Sequence, residues 1–207
     1  MKTKLKSIKT LKTFLFWSYD PASPMSKLTI RITGNQLPDK SDSWSHSGLG
    51  FELSDGELVY YENLFSTGFQ GPKPVAKLIE FGRTTGRVEI QYVDFIYPKE
   101  SEQIRQKCQS WVGRRGYYGW QLVSMWAFER FGRFVGTHLP RSPGKGVCSE
   151  DVARLVFPWV DLRDSIRSGF DEVNPNSAWR QWMKILAERD AAAKRNLYEH
   201  GMRKTPE

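Results

Sequence analysis

The chain has 207 residues, 39% hydrophobic and 14% aromatic with eight Trp, enough apolar surface for one globular domain with a real core. Its formal charge of +8 favours anionic partners without naming one. The two cysteines cannot by themselves supply a disulfide framework or a zinc ligand set, and no stretch approaches the ~20 apolar residues of a membrane span.

Residues 1–24 read as a basic lead-in segment, because Lys2, Lys4, Lys6, Lys9 and Lys12 precede any acid and Pro21 and Pro24 close the stretch. Its apolar run, Phe14 to Trp17, is too short for a secretory signal, so a cytoplasmic protein is expected. Leu5, Ile8, Leu11 and Leu15 recur at helical spacing among the lysines, which would suit peripheral contact with an anionic membrane surface; the competing reading is a solvated end. Residues 26–33 fit either a strand or a short helix.

Residues 34–45 are polar and turn-rich, hence a loop. A hairpin follows: Ser47 to Leu53, a turn at Ser54-Asp55-Gly56, and a return strand from Glu57 to Glu62. Residues 63–74 read as a Gly/Pro loop, and Leu78 to Phe81 and Val88 to Phe95 as two more strands. Helices are expected over Pro98 to Val112, Tyr118 to Phe134, Cys148 to Phe157 and Ser177 to about Tyr198, with a loop over 136–146. Strands mostly precede helices, which suggests an α+β domain over 25–180 and a charged helical tail over 181–207.

The two cysteines have different settings. Cys108 lies between Ile104 and Trp111 on the apolar stripe of its helix, where a free cysteine behaves as a small hydrophobe. Cys148 follows Gly-Lys-Gly-Val and precedes Ser-Glu-Asp, at the expected start of a helix. The helix dipole and unpaired N–H groups there favour a thiolate, the nucleophilic form; the alternative is ordinary packing.

A cysteine nucleophile needs a base and a group to orient it. His200 lies in the charged tail, and His138 in the loop before Cys148 stays possible. His46 opens a strand whose next residues are small, a rigid platform for a base. Glu62, at the end of the paired strand, orients His46 if the register allows; otherwise it is a solvated strand-end carboxylate. Tyr117, Tyr118 and Trp120 are candidates to line a substrate groove, with core packing as the alternative for each.

Together, Ser45-His46-Ser47-Gly48-Leu49-Gly50, the Asp55-Gly56 hairpin, Val59-Tyr60-Tyr61-Glu62, Gly116-Tyr117-Tyr118-Gly119 and Val147-Cys148-Ser149-Glu150-Asp151-Val152-Ala153 resemble the circularly permuted NlpC-like thiol hydrolases of the YiiX type. The resemblance spans roughly residues 25–180, with Asn174-Pro175 a weaker part of it. It implies a papain-like fold in permuted order, an antiparallel sheet packed against helices that include the nucleophile helix, with the histidine strand before the cysteine helix. It also implies Cys148 as nucleophile, His46 as base and Glu62 as the orienting residue, with no cofactor and no metal. The lysine-rich start and the chain beyond residue 180 lie outside it, and Asp151 and Arg154 make the cysteine helix unusually charged.

The expected function is therefore a cysteine hydrolase that cleaves an amide or ester bond through a thioester. Peptidase, amidase, esterase and acyltransferase chemistry all remain open, as do cell-wall peptides and lipid-linked amides as substrates. The rival is a non-catalytic binding or assembly module that uses the basic and aromatic surface. Nucleic acid ranks last as a partner, because no zinc, helix-turn-helix or ribonucleoprotein signature accompanies the charge.

Overall fold

A computed structural model describes residues 9–33, 43–64, 67–114, 148–163 and 173–202. Its elements are strands β1 (Thr10–Tyr19), β2 (His46–Leu53), β3 (Leu58–Leu64), β4 (Gly68–Pro74) and β5 (Arg87–Tyr92), and helices α1 (Pro24–Thr33), α2 (Val75–Thr84), α3 (Pro98–Trp111), α4 (Cys148–Val156) and α5 (Pro175–Met202). The strands form one sheet in the order β4-β3-β2-β1-β5, and every neighbouring pair is antiparallel. The fold is thus mixed α+β, as expected.

Residues 10–19 correct the reading of a basic lead-in. They are not a solvated end or a surface helix but an interior strand, hydrogen-bonded to β2 on one side and β5 on the other. The run Phe14-Leu15-Phe16-Trp17 is buried throughout, because a strand covered on both faces needs apolar residues at every position. Leu15 and Trp17 join the main core, while Phe14 and Phe16 join a second cluster with Tyr60, Val75 and Leu78. The sheet therefore separates two apolar layers. The larger contains residues of α3, α4 and α5; the smaller contains residues of α2.

Other boundaries also move. Residues 26–33 resolve to a helix, with Pro24 in its first turn, where a missing N–H does no harm. The loop expected over 63–74 contains β4, whose prolines are tolerated because β4 is an edge strand. Leu78 to Phe81 is not a strand but part of α2, and the buried Val75 and Leu78 reveal the three-residue spacing of a helix. The strand expected over Val88 to Phe95 stops at Tyr92. The last helix starts earlier, at Pro175, where Asn174 Oδ1 accepts the N–H groups of Asn176 and Ser177 at 3.1 and 3.0 Å and Ser177 Oγ accepts the Asn174 N–H at 2.9 Å. That reciprocal cap fixes the helix start. Nor does α5 divide at residue 180: Trp182 is fully buried and Ile185 and Leu186 pack on the main core, and the described side chains are continuously exposed only over 187–193.

Candidate active site

His46 is the first residue of β2 and lies opposite Ser18 of β1. The segment entering it is held from several directions. Asn176 Oδ1 of α5 accepts the Trp44 N–H at 2.6 Å, and the Arg87 guanidinium donates to the Ser43 carbonyl at 2.6 Å while sitting 4.3 Å from the Trp44 ring centre. Along β2, the small residues after His46 have a steric cause. A Cβ on Gly48 would overlap the Phe16 ring, and one on Gly50 would overlap Phe14. With those two positions bare, the Phe16 ring lies 6.0 Å from His46 and 5.3 Å from Tyr60, forming an aromatic floor beneath the imidazole.

The hairpin register decides the role of Glu62. Gly48 stands directly opposite Glu62, so His46, two residues earlier on the same face, is its diagonal neighbour. A long side chain spans that diagonal. Glu62 Oε2 lies 2.9 Å from His46 Nε2, and its other oxygen accepts from Lys73 Nζ at 2.8 Å. Both side chains are largely covered, His46 17% and Glu62 11% exposed. Burial alone would raise the Glu62 pKa, but His46 and Lys73 outweigh it and hold the carboxyl at about 2. Lys73 belongs to β4, the strand hidden in the expected loop, which is why the sequence reading missed it.

Cys148 opens α4 and is 3% exposed. Its side chain is hydrogen-bonded to His46, and the backbone N–H groups of Ser47 and Ser149 also reach its sulfur. Since Nε2 of the ring faces Glu62, the nitrogen left for the thiol is Nδ1. Burial pushes the Cys148 thiol up, but His46 and the two N–H donors reverse this and lower it. Burial likewise pulls the imidazole down, and the Cys148 thiolate and Glu62 raise it to about 10. The two shifts together favour a thiolate–imidazolium pair backed by a carboxylate. The three residues proposed from sequence thus meet in one place.

Helix α4 is buried nearly all round: of its nine residues only Arg154 is exposed. Its polar residues are anchored inside. Ser149 Oγ donates to the Val173 carbonyl at 2.7 Å, and Asp151 Oδ2 accepts from Asn63 Nδ2 at 2.6 Å. Burial raises the Asp151 carboxyl to about 6, against the Asn63 hydrogen bond and the charges of Arg114 and Arg154. Asn63 follows Glu62 in β3 and points to the opposite face. One strand therefore orients the base on one side and ties down the nucleophile helix on the other. Neither Asn63 nor Asp151 was singled out in the sequence as a partner, because their pairing depends on which face of β3 meets α4.

Cys108, by contrast, is fully buried in the main core, and burial raises its thiol far above the ordinary range. Tyr117, Tyr118, Trp120 and His138 lie outside the described residues. No group of three or more His, Cys, Asp and Glu side chains suited to a metal ion occurs among the described residues, and no helix among them is long and apolar enough to cross a membrane. A cleft of about 360 Å³ adjoins the site, with His46 and Glu62 in its wall. Comparison with known proteins gives no match among family models, curated proteins or solved structures.

Proposed function

We propose that the chain is a cysteine hydrolase of the papain-like type in circularly permuted order, cleaving an amide or ester bond through a thioester on Cys148. The observation that carries the reading is the placement of His46 between the Cys148 sulfur and the Glu62 carboxylate, with the thiol lowered and the imidazole raised. A buried cysteine with only a packing role has no need of such partners, as Cys108 illustrates. The order of the elements, His46 on β2 and Cys148 far downstream on α4, is the order that the permuted family resemblance implies.

The chemistry follows from the geometry. The Cys148 thiolate attacks the carbonyl carbon, and backbone N–H groups at the start of α4 stabilise the developing oxyanion. When the tetrahedral intermediate collapses, the proton on His46 Nδ1 passes to the leaving nitrogen or oxygen. His46, now neutral, takes a proton from water, the resulting hydroxide attacks the thioester, and the thiolate departs. Glu62 keeps the ring oriented and stabilises its charged form, and Lys73 keeps Glu62 ionised.

Alkylation with iodoacetamide at neutral pH, read by mass spectrometry, tests the reading. Cys148 should be labelled and Cys108 should not, and Cys148→Ala should lose both labelling and any hydrolase turnover while Cys108→Ala keeps them. An inert Cys148 in the wild type, or turnover surviving in Cys148→Ala, overturns the proposal and favours a binding module.

A further inference from the structure

The cleft beside His46 carries more than its position. Its walls are built from α1, the ends of β1 and β3, the start of β2, and α2, and at about 360 Å³ it is at the small end of the range for ligand sites. Among the described residues its wall contains His46 and Glu62, the base side of the site, but not Cys148. We propose that this cleft is the leaving-group subsite of the hydrolase, receiving the amine or alcohol portion of the substrate rather than the acyl portion. The inference rests on the cysteine-hydrolase reading above and assigns its substrate selectivity.

The proton balance points to this side. Attack by Cys148 Sγ forms the C–S bond and keeps the acyl carbon at the sulfur. Collapse breaks the C–N or C–O bond, and the departing atom must lie within reach of His46 Nδ1 to receive its proton. The fragment attached to that atom extends past the imidazole, and the cleft has that imidazole in its wall. An acyl fragment stays tethered to Cys148.

The lining describes the fragment. One wall is apolar, with Met25, Leu78 and Phe81. The polar part of the lining includes hydroxyls: Ser45 Oγ lies 3.0 Å from Ser26 Oγ and donates to the Ser18 carbonyl at 3.3 Å. Hydroxyls so engaged still offer lone pairs to a ligand donor. Asp20 and Lys77 also line the cleft, and their opposite charges leave it without a net preference, while Glu62 is committed to His46 and Lys73. The matching leaving group is a compact, uncharged amine or alcohol with an apolar body and a hydrogen-bonding edge, about one or two rings in size.

Two probe pairs test this. Ethyl acetate and 2-naphthyl acetate give the same acetyl-enzyme from different leaving groups, and phenyl acetate and phenyl hexanoate vary only the acyl group. Thioester formation on Cys148 is followed by mass, and loss of the acetyl group by its decay. Filling the cleft with Met25→Trp should slow acetylation by 2-naphthyl acetate about 10-fold, leave ethyl acetate within about twofold, and change neither the phenyl-ester preference nor decay of the acetyl-enzyme. Phe81→Ala, which widens the cleft, should blur discrimination between the two acetates. Iodoacetamide alkylation of Cys148 at the wild-type rate verifies that each variant keeps its site. An altered preference between phenyl acetate and phenyl hexanoate, or equal effects on both acetates, overturns the subsite while leaving the hydrolase standing. A thiol that alkylates readily but is acetylated by none of the esters also overturns it. A Cys148 inert to iodoacetamide in the wild type ends the hydrolase reading itself.

Discussion

The protein holds two cysteines, both buried, and their surroundings drive them in opposite directions. Cys108 sits in the middle of α3 among Ile104 and other core side chains, and burial raises its thiol and disfavours the thiolate. Cys148 is covered almost as completely but opens a helix, receives two backbone N–H groups and faces an imidazolium. Burial is common to both, so it cannot be what decides reactivity. Preplaced positive charge and oriented dipoles decide it, and they act strongly at Cys148 because its sulfur is buried.

Removing the base should erase most of the contrast. In His46→Ala, Cys148 keeps only the Ser47 and Ser149 N–H groups, and its pKa should rise toward that of a buried thiol. Iodoacetamide labelling at pH 7 should fall roughly 10–100-fold and become steeply alkaline-dependent. An unchanged labelling profile would show that the N–H groups alone hold the thiolate.

Glu62→Gln should act on the same pair more mildly, with a loss of roughly 10-fold in turnover. Its diagnostic is the alkaline limb. The thiolate–imidazolium pair persists until His46 loses its proton near its pKa of about 10. Since the Glu62 carboxylate is one cause of that elevation, the limb should move to lower pH in the variant. A rate–pH profile that keeps its alkaline limb in place would remove Glu62 from the site.

The smallest effect concerns stability and α4 itself. The Asp151 carboxyl stands at about 6 in the folded protein against 3.8 as a model value, so the folded state binds its proton more tightly. Its contribution is full below pH ~4 and is lost as pH rises through about 6, at most ~3 kcal/mol. Glu62, held at about 2, works in the other direction: its contribution is present above its ordinary pKa of 4.5 and is lost as pH falls toward 2. Asp151→Asn retains an acceptor for Asn63 and removes the ionisation. Denaturant melts between pH 4 and 7 should then lose the downward slope that Asp151 gives the wild type. A wild-type slope retained in the variant would assign it to another group.

What could be read in advance was local. The start of α4 is announced by a glycine-rich approach and acids in the first turn, and the hairpin by Ser54-Asp55-Gly56, whose turn sets the register that puts Glu62 diagonal to His46. What could not be read depended on layers. Lysines around Phe14 to Trp17 disguised a strand whose apolar run makes sense only once both faces are known to be covered. Gly71, Pro72 and Pro74 disguised β4, and with it Lys73. Asn63 and Asp151 sit far apart in the chain, and no period in either segment signals the other.

The placement of β1 has a consequence for how the chain assembles. Strands β2, β3 and β4 follow one another in sequence and in the sheet, so they can pair as a local meander. Among the described strands β5 pairs only with β1, with Phe14 opposite Tyr92 across a long span of chain. Strand β1 is thus the template on which β5 must land, more than 60 residues later in the chain. Closing that long loop costs chain entropy that the local meander does not. A chain shortened by its first 20 residues would be left with a three-strand ribbon and an orphan, with His46 on the raw edge between them.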